Sequence, residues 1–161
     1  KMTDIVALAK SVLDEQKPRI EKKKLTVKKN FSSDVPIFST DLKLMRIILQ
    51  NLLDNAVEYT PDKGTVRFEI NLDSEKKNIL ITVAYTGYGI PKNQQNKMFE
   101  KFFRADNVRN KDTEGTGLGL YIVKSIIDQF GGKMWFKSPA LSHAEGEENK
   151  VTEFYVSFPL K

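Results

Sequence analysis

The sequence contains no cysteine and only one histidine, His143, among its 161 residues. The lack of cysteine excludes disulfide bonds and cysteine metal sites, and one histidine cannot form a histidine-pair metal site. No apolar stretch approaches the roughly 18 residues of a membrane-spanning helix, and the first residues lack the apolar core of a signal peptide. We therefore expect a cytoplasmic domain without direct membrane contact, whose parent protein could still be membrane-anchored.

The sequence also has no large excess of charge of one sign: its 26 basic and 21 acidic residues give a net charge of +5. A lysine cluster comprises Lys22, Lys23, Lys24, Lys28 and Lys29. It has no interleaved aromatic residues of the kind that bind single-stranded nucleic acid. We interpret it as a solvated surface and expect no nucleic-acid partner. A composition of 40% hydrophobic and 29% charged residues is typical of a soluble domain, and we expect residues 1–161 to be one domain excised from a longer chain.

The hydrophobic periodicity predicts an α+β fold with an antiparallel sheet covered on one face by about three helices. Helices are predicted at about residues 3–22, capped by Thr3, from about 40–41 to just before Pro61, and over the stripe from Leu120 to Phe130. A short strand is predicted around 25–27, a hairpin at 66–72 and 79–83, and a closing hairpin at 133–137 and 152–158. Residues 98–103 carry a short apolar helix signal.

The second predicted helix carries polar side chains on one face. Asn51, Asn55 and Glu58 are spaced i, i+4 and i+7, so they project from the same side. A single asparagine there could be a hydrogen-bonded structural amide, but two stacked asparagines favour a polar cleft, since an unpaired buried amide is costly. Amide oxygens are suited to Mg²⁺ or to hydrogen bonds with a nucleotide.

Two glycine-rich segments adjoin predicted secondary-structure elements: one leads into the third helix and the other follows a strand. In "EGTGLGLYIVK", Gly115, Gly117 and Gly119 lead into the third helix, where free backbone N–H groups and the helix dipole would attract an anion. In "TGYGIP", Gly87 and Gly89 follow a strand. Each segment alone is equally consistent with a simple turn.

Taken in order, these segments resemble the ATP-binding catalytic domain of bacterial sensor histidine kinases. "NLLDNAVEYT" is similar to the N box of that family, "TGYGIP" to its first glycine box, "MFEKFFRADN" to its F box and "GTGLGLYIVK" to its second glycine box. The resemblance covers nearly the whole chain from about residue 4. It implies the Bergerat fold, a two-layer α/β sandwich with a mixed, mostly antiparallel sheet.

The resemblance also implies a site for ATP and Mg²⁺. By this similarity Asn55 is the Mg²⁺ ligand, and Asn55 and Arg104 are the catalytic residues. Residues 105–114 correspond to a mobile lid over the nucleotide. The implied nucleotide-binding residues are Asn51, Asn55, Glu58, Tyr59, Tyr85, Gly87, Gly89, Ile90, Arg104, Gly115, Thr116, Gly117, Leu118, Gly119 and Thr152.

The reaction implied by the resemblance is phosphoryl transfer from ATP to a histidine on a separate helical dimerisation domain of the same parent, with a response regulator downstream. His143 lies in the polar segment "SHAEGEE", so we expect it not to be the acceptor. The chain alone is therefore expected to be monomeric and not to autophosphorylate.

Two residues depart from the family pattern. Tyr85 stands where the family has an aspartate that accepts a hydrogen bond from adenine, and Glu58 stands where a cation is common. Two interpretations follow: a kinase domain that binds ATP–Mg²⁺ weakly or in a rearranged pocket, or a nucleotide-impaired domain, natural or engineered, acting as a regulatory or interaction module. A DNA-acting ATPase of the same superfamily is disfavoured, because "FEKFFR" and the short lid resemble the kinases.

Overall fold

A mixed five-stranded sheet forms one layer of the structure, a computed structural model that describes residues 1–87, 89, 92–100, 119–138 and 150–160. The strands are β1 Met2–Thr3, β2 Thr26–Phe31, β3 Phe38–Ser39, β4 Thr65–Leu72, β5 Asn78–Gly87, β6 Lys133–Lys137 and β7 Lys150–Pro159. The strand order of the large sheet is β2-β4-β5-β7-β6, and β2 and β4 are parallel while every other neighbouring pair is antiparallel. A separate two-stranded sheet pairs β1 with β3.

Four α-helices form the other layer within the described residues: α1 Ile5–Glu15, α2 Lys17–Lys23, α3 Leu42–Tyr59 and α4 Gly119–Gln129. A 3-10 helix, Lys92–Lys97, follows β5. Helix α3 contacts α1, α4 and β5, so it lies at the centre of the helical layer. Its start is fixed by Asp41, whose side chain accepts a hydrogen bond from the Leu44 amide, as is typical of an N-cap.

The core lies between the two layers and follows the alternation of the strands. Along β5 the side chains of Ile79, Ile81 and Val83 are buried towards the helices, and Phe154 occupies the same face on β7. Because side chains alternate across a strand, Tyr85 continues this buried row towards the end of β5. The end of the row is where polar residues of α3 approach the sheet.

The α+β class and the mixed, mostly antiparallel sheet under a helical layer are confirmed. The prediction of one helix over residues 3–22 is wrong, because the chain bends at Gln16 and α2 begins with Pro18 in its first turn. Proline lacks the N–H that a continuous helix needs and is favoured in a first turn. Thr3 is not the cap either: it pairs with Phe38, and Asp4 accepts the Ala7 amide at 3.0 Å.

The other elements were predicted with small errors. The hairpin of β4 and β5, the closing hairpin of β6 and β7, and the ends of α3 agree with expectation, whereas the small sheet of β1 and β3 was missed. The short helix expected at 98–103 is preceded by the 3-10 helix, and its last residues lie outside the described ranges. Within those ranges, none of the helices is both long and apolar enough to cross a lipid bilayer.

Two adjacent glycines after α4 provide a test of the packing that orients this helix. A Cβ at Gly132 would overlap the Ser157 carbonyl oxygen, whereas Gly131 has open space around it but a φ of 72°. We expect Gly132→Ala to lower the free energy of unfolding by about 3 kcal/mol because backbone has to move. Gly131→Ala should cost only about 1 kcal/mol for the left-handed backbone. Urea unfolding of both variants measures this difference, and equal losses would contradict the packing of α4 onto β7.

Candidate functional site

The polar face of α3 lies beside the first residue of α4. Asn51 and Asn55 are both half-buried, and the Asn51 amide Nδ2 donates to the Ile47 carbonyl oxygen at 2.7 Å. A Cβ placed on Gly119 would lie 3.0 Å from Asn51 Oδ1. The N-terminus of α4 therefore lies against an amide oxygen of α3, and a side chain at position 119 would narrow the space between the helices.

The end of α3 also meets the end of β5. A Cβ on Gly87 would lie 3.1 Å from the Tyr59 carbonyl oxygen, so a glycine here permits close contact between the backbones of a helix and a strand. Gly89 follows with a φ of 75°, a left-handed conformation that glycine adopts without strain. The close backbone contact at Gly87 and the left-handed conformation of Gly89 thus explain why both positions of "TGYGIP" are glycines.

Tyr85 is the buried aromatic residue at this junction. Its side chain is 7% exposed, and its ring stacks on Phe154 with centroids 6.4 Å apart and planes 11° from parallel. The hydroxyl group lies near the side chains of Asn55 and Thr152. Burial raises the pKa of Tyr85 well above its usual value, and polar interaction with these two side chains opposes the shift only in part, so the phenol is neutral at physiological pH.

The polar surroundings of Tyr85 extend to the end of β6. Thr152 is fully buried, and its Oγ1 lies 3.1 Å from the Oγ of Ser138. The polar groups of Asn55, Tyr85, Thr152 and Ser138 thus form a cluster that extends from α3 across β5 and β7 to the residue after β6. Ser138 was missed by sequence reasoning, because only the pairing of β6 with β7 brings it next to Thr152.

The side chain of Glu58 reaches Arg19 of α2. Its Oε2 lies 2.7 Å from Arg19 Nη2, and its side chain is 13% exposed. Arg19 also forms an ion pair with Asp54. The negative charge of Glu58 is therefore offset by Arg19 of α2. This ion pair weakens the repulsion between Glu58 and a phosphate group, which the sequence alone led us to expect.

Nine of the fifteen implied nucleotide-binding residues lie within the described ranges, and the other six, Ile90, Arg104, Gly115, Thr116, Gly117 and Leu118, lie outside them. The lid at 105–114 and His143 also lie outside. Asn51, Asn55, Tyr59, Tyr85, Gly87, Gly119 and Thr152 come together around the second half of α3. Gly89 follows closely in the chain, while Glu58 points to α2.

The described part of the chain is compatible with a Mg²⁺ ion that is held mainly by the phosphates of its nucleotide. They contain no group of three or more histidine, cysteine, aspartate or glutamate residues able to hold a metal. Mg²⁺ is commonly held by one or two protein oxygens together with substrate phosphates and water. Asn55 offers a half-buried amide oxygen of this type, so the donor set suits a cation that arrives with a phosphate ligand.

The buried phenol leads to a prediction about alkaline stability. The pKa of Tyr85 is raised from 10.0 in the folded protein, so above about pH 10 the unfolded chain loses this proton while the folded protein keeps it. Stability should therefore fall as pH rises through this range, and Tyr85→Phe should remove this part of the fall. Urea unfolding of both proteins between about pH 9 and pH 11 measures it, and parallel curves would contradict the burial of the hydroxyl.

Comparison with known proteins places this arrangement in a family. The family profile described as "Histidine kinase-, DNA gyrase B-, and HSP90-like ATPase" matches residues 40–161. The adaptive-response sensory kinase SasA of Rippkaea orientalis is 37% identical over 131 residues, which are 81% of this chain and 33% of that protein. The sensor histidine kinase WalK of Bacillus subtilis is 36% identical over 114 residues, 71% of this chain and 17% of WalK. The chain thus spans a third or less of these two relatives.

Solved structures share the fold. The mycobacterial sensor histidine kinase MprB superposes with a TM-score of 0.80 at 22% identity, covering 100% of this chain and 99% of MprB. Full-length ShkA in complex with AMPPNP gives a TM-score of 0.80 at 26% identity, covering 99% of this chain and 31% of ShkA. From the family match and the sensory-kinase relatives, we conclude that the chain belongs to the histidine kinase-, DNA gyrase B- and HSP90-like ATPase family, as a catalytic domain of the histidine-kinase type.

Proposed function

We propose that this chain binds ATP together with Mg²⁺ and presents the γ-phosphate to a histidine on a separate helical dimerisation domain of its parent protein. A response regulator would then receive the phosphoryl group. Among the structural relatives, ShkA is described in complex with AMPPNP and ThkA in complex with the response regulator TrrA. In this reaction class the protein contributes mainly positioning and charge neutralisation.

The observation that carries the proposal is the contact of α3 with two glycine segments. Asn51 lies against Gly119 at the start of α4, and Tyr59 lies against Gly87 at the end of β5. The phosphates would lie beside Asn51 at the N-terminus of α4, where backbone N–H groups and the helix dipole favour an anion. The base would lie near Gly87 and Gly89.

Each remaining residue has a proposed role in the same arrangement. Asn55 would hold Mg²⁺, which neutralises phosphate charge when bound, and Tyr59 would border the nucleotide. Arg104 would contact the phosphates through its forked donors. The segment Gly115, Thr116, Gly117 and Leu118 would surround the phosphates, with Ile90 and Thr152 lining the base pocket and residues 105–114 closing over it.

The proposal predicts that Asn55→Ala weakens ATP–Mg²⁺ binding at least about tenfold, since a metal ligand and its hydrogen-bonding capacity are lost. ATP binding in the presence of EDTA should be much less affected by the substitution, because no cation is then present to be held. Calorimetric titration of ATP, with Mg²⁺ and with EDTA, measures both effects.

Asn30→Ala is the matched control for this prediction, because Asn30 is an exposed amide on the edge strand β2. Its affinity for ATP–Mg²⁺ should equal that of the unmodified protein. Equal Mg²⁺-dependent affinities for Asn55→Ala and Asn30→Ala would refute the role of Asn55. No heat of binding in any of the proteins, at millimolar ATP, would refute the proposed function as a whole.

A second candidate function is favoured by Tyr85, namely a nucleotide-impaired domain that acts as a regulatory or interaction module. The ring is stacked on Phe154 and its hydroxyl lies near Asn55 and Thr152. A neutral phenol in this position offers no carboxylate to the amino group of adenine, and it lies beside the proposed Mg²⁺ ligand. Loss of one buried hydrogen bond costs about 1–3 kcal/mol, or roughly a tenfold to hundredfold loss of affinity.

The two candidates are separated by Tyr85→Asp. If Tyr85 impairs binding, the aspartate variant should bind ATP–Mg²⁺ about tenfold to a hundredfold more tightly than the unmodified protein. Asparagine has nearly the size of aspartate but carries no charge, so Tyr85→Asn serves as the control for Tyr85→Asp. Equal affinity of the unmodified protein and Tyr85→Asp in the same calorimetric titration would exclude the impaired module and favour the active domain.

A further inference from the structure

Helix α2 contacts the C-terminal end of α3, where two proposed site residues lie. Tyr59 is the last residue of α3 and Asn55 lies one turn before it, and the Tyr59 carbonyl oxygen is in close contact with Gly87. Because backbone meets backbone at this point, little space remains for adjustment. A small displacement of the turn would change the distance between Asn55, Tyr59 and the end of β5.

Lys23 of α2 satisfies carbonyl groups at the end of α3. Its Nζ donates to the Val57 carbonyl oxygen at 2.7 Å and to the Glu58 carbonyl oxygen at 3.1 Å. The last carbonyls of a helix have no partner within the helix, and a cation there also interacts favourably with the helix dipole. The Ala56 carbonyl oxygen is bonded instead by the amide and hydroxyl groups of Thr60.

Arg19 holds the side chains of the same helical segment. Its guanidinium group pairs with both Asp54 and Glu58, which are four residues apart on α3. Two carboxylates at this spacing repel each other unless a cation lies between them. Arg19 thus fixes the side-chain face of the turn, while Lys23 fixes its backbone.

The backbone of α2 adds a third connection. The Lys63 amide donates to the Lys23 carbonyl oxygen at 2.8 Å, and the Thr26 amide donates to the Gly64 carbonyl oxygen at 2.9 Å. These bonds tie the segment after α2 to the turn that follows α3. Ile20 packs against the hydrophobic core from the same helix, so α2 is itself anchored.

We propose that Arg19 and Lys23 are positioning residues of the site: they fix the last turn of α3 against β5 and thereby set the placement of Asn55 and Tyr59. Neither residue contacts the proposed nucleotide in this scheme, and both act through α3. The effect on affinity rests on the proposed ATP-binding function, whereas the effect on the position of the turn does not.

The test uses Lys23→Met, which removes the donor group and keeps an aliphatic chain of similar length. We expect about fivefold weaker ATP–Mg²⁺ binding, since the hydrogen bonds that hold the turn are lost. Lys23→Arg retains the cation and its donors and should restore most of the affinity. Lys22→Met is the matched control, because Lys22 is an exposed residue of the same helix.

Phe31→Leu separates positioning from general loss of stability. It removes the edge-to-face contact of Phe31 with Phe68 in the sheet and should lower the melting temperature while leaving affinity unchanged at a temperature where the protein stays folded. A second readout needs no nucleotide: the amide NMR resonances of Tyr59 and Gly87 should shift in Lys23→Met and stay in place in Lys22→Met and Phe31→Leu.

The outcomes distinguish the two proposals. If the unmodified protein binds no ATP, the proposed function fails, and the resonances of Tyr59 and Gly87 still test the positioning role. If those resonances are unchanged in Lys23→Met, or shift equally in Phe31→Leu, the positioning role is wrong. It is also wrong if ATP binds and Lys23→Met leaves the affinity unchanged.

Discussion

The position of α3 against the sheet is the constraint on which the rest of the structure depends. Met45, Ile48, Leu49, Leu53 and Val57 are fully buried along this helix, and they fix its rotation. With 3.6 residues per turn, the stripe that carries Asn51 and Asn55 then lies at the boundary of the core, half-buried. A rotation of the helix would either bury these amides without partners or expose apolar side chains, and both are costly. The same packing that stabilises the fold thus places the polar face opposite α4 and β5.

Tyr85 shows how closely the core and the site are joined. Its ring belongs to the buried row of β5 and stacks on Phe154, and its hydroxyl group lies near Asn55 and Thr152. The tyrosine therefore stabilises the sheet and at the same time lies beside a residue proposed to bind Mg²⁺. A substitution at position 85 would change the packing of the core and the surroundings of Asn55 together.

The class of the fold was predictable from local patterns, whereas the grouping of residues around α3 was implied only by the family resemblance. The spacing of Asn51 and Asn55 predicts a shared helix face, and Gly87, expected to follow a strand, is the last residue of β5. The contacts made by Arg19, Lys23 and Ser138 were not predictable, since they join residues 14 to 39 positions apart through packing that no short motif encodes. The offset of Glu58 by Arg19 illustrates the consequence: the sequence shows an acid beside the proposed phosphate site, and only the tertiary structure shows its cationic partner.

The central claim is that a divalent cation and a nucleotide meet at the polar face of α3. Mn²⁺, which favours the same oxygen ligands as Mg²⁺, makes this measurable by paramagnetic broadening of NMR resonances in the presence of ATP. We predict that the side-chain amide resonances of Asn55 and Asn51 and the backbone resonance of Gly119 broaden first, and only when ATP is present. Broadening that is independent of ATP, or that is centred on residues remote from α3, would contradict it.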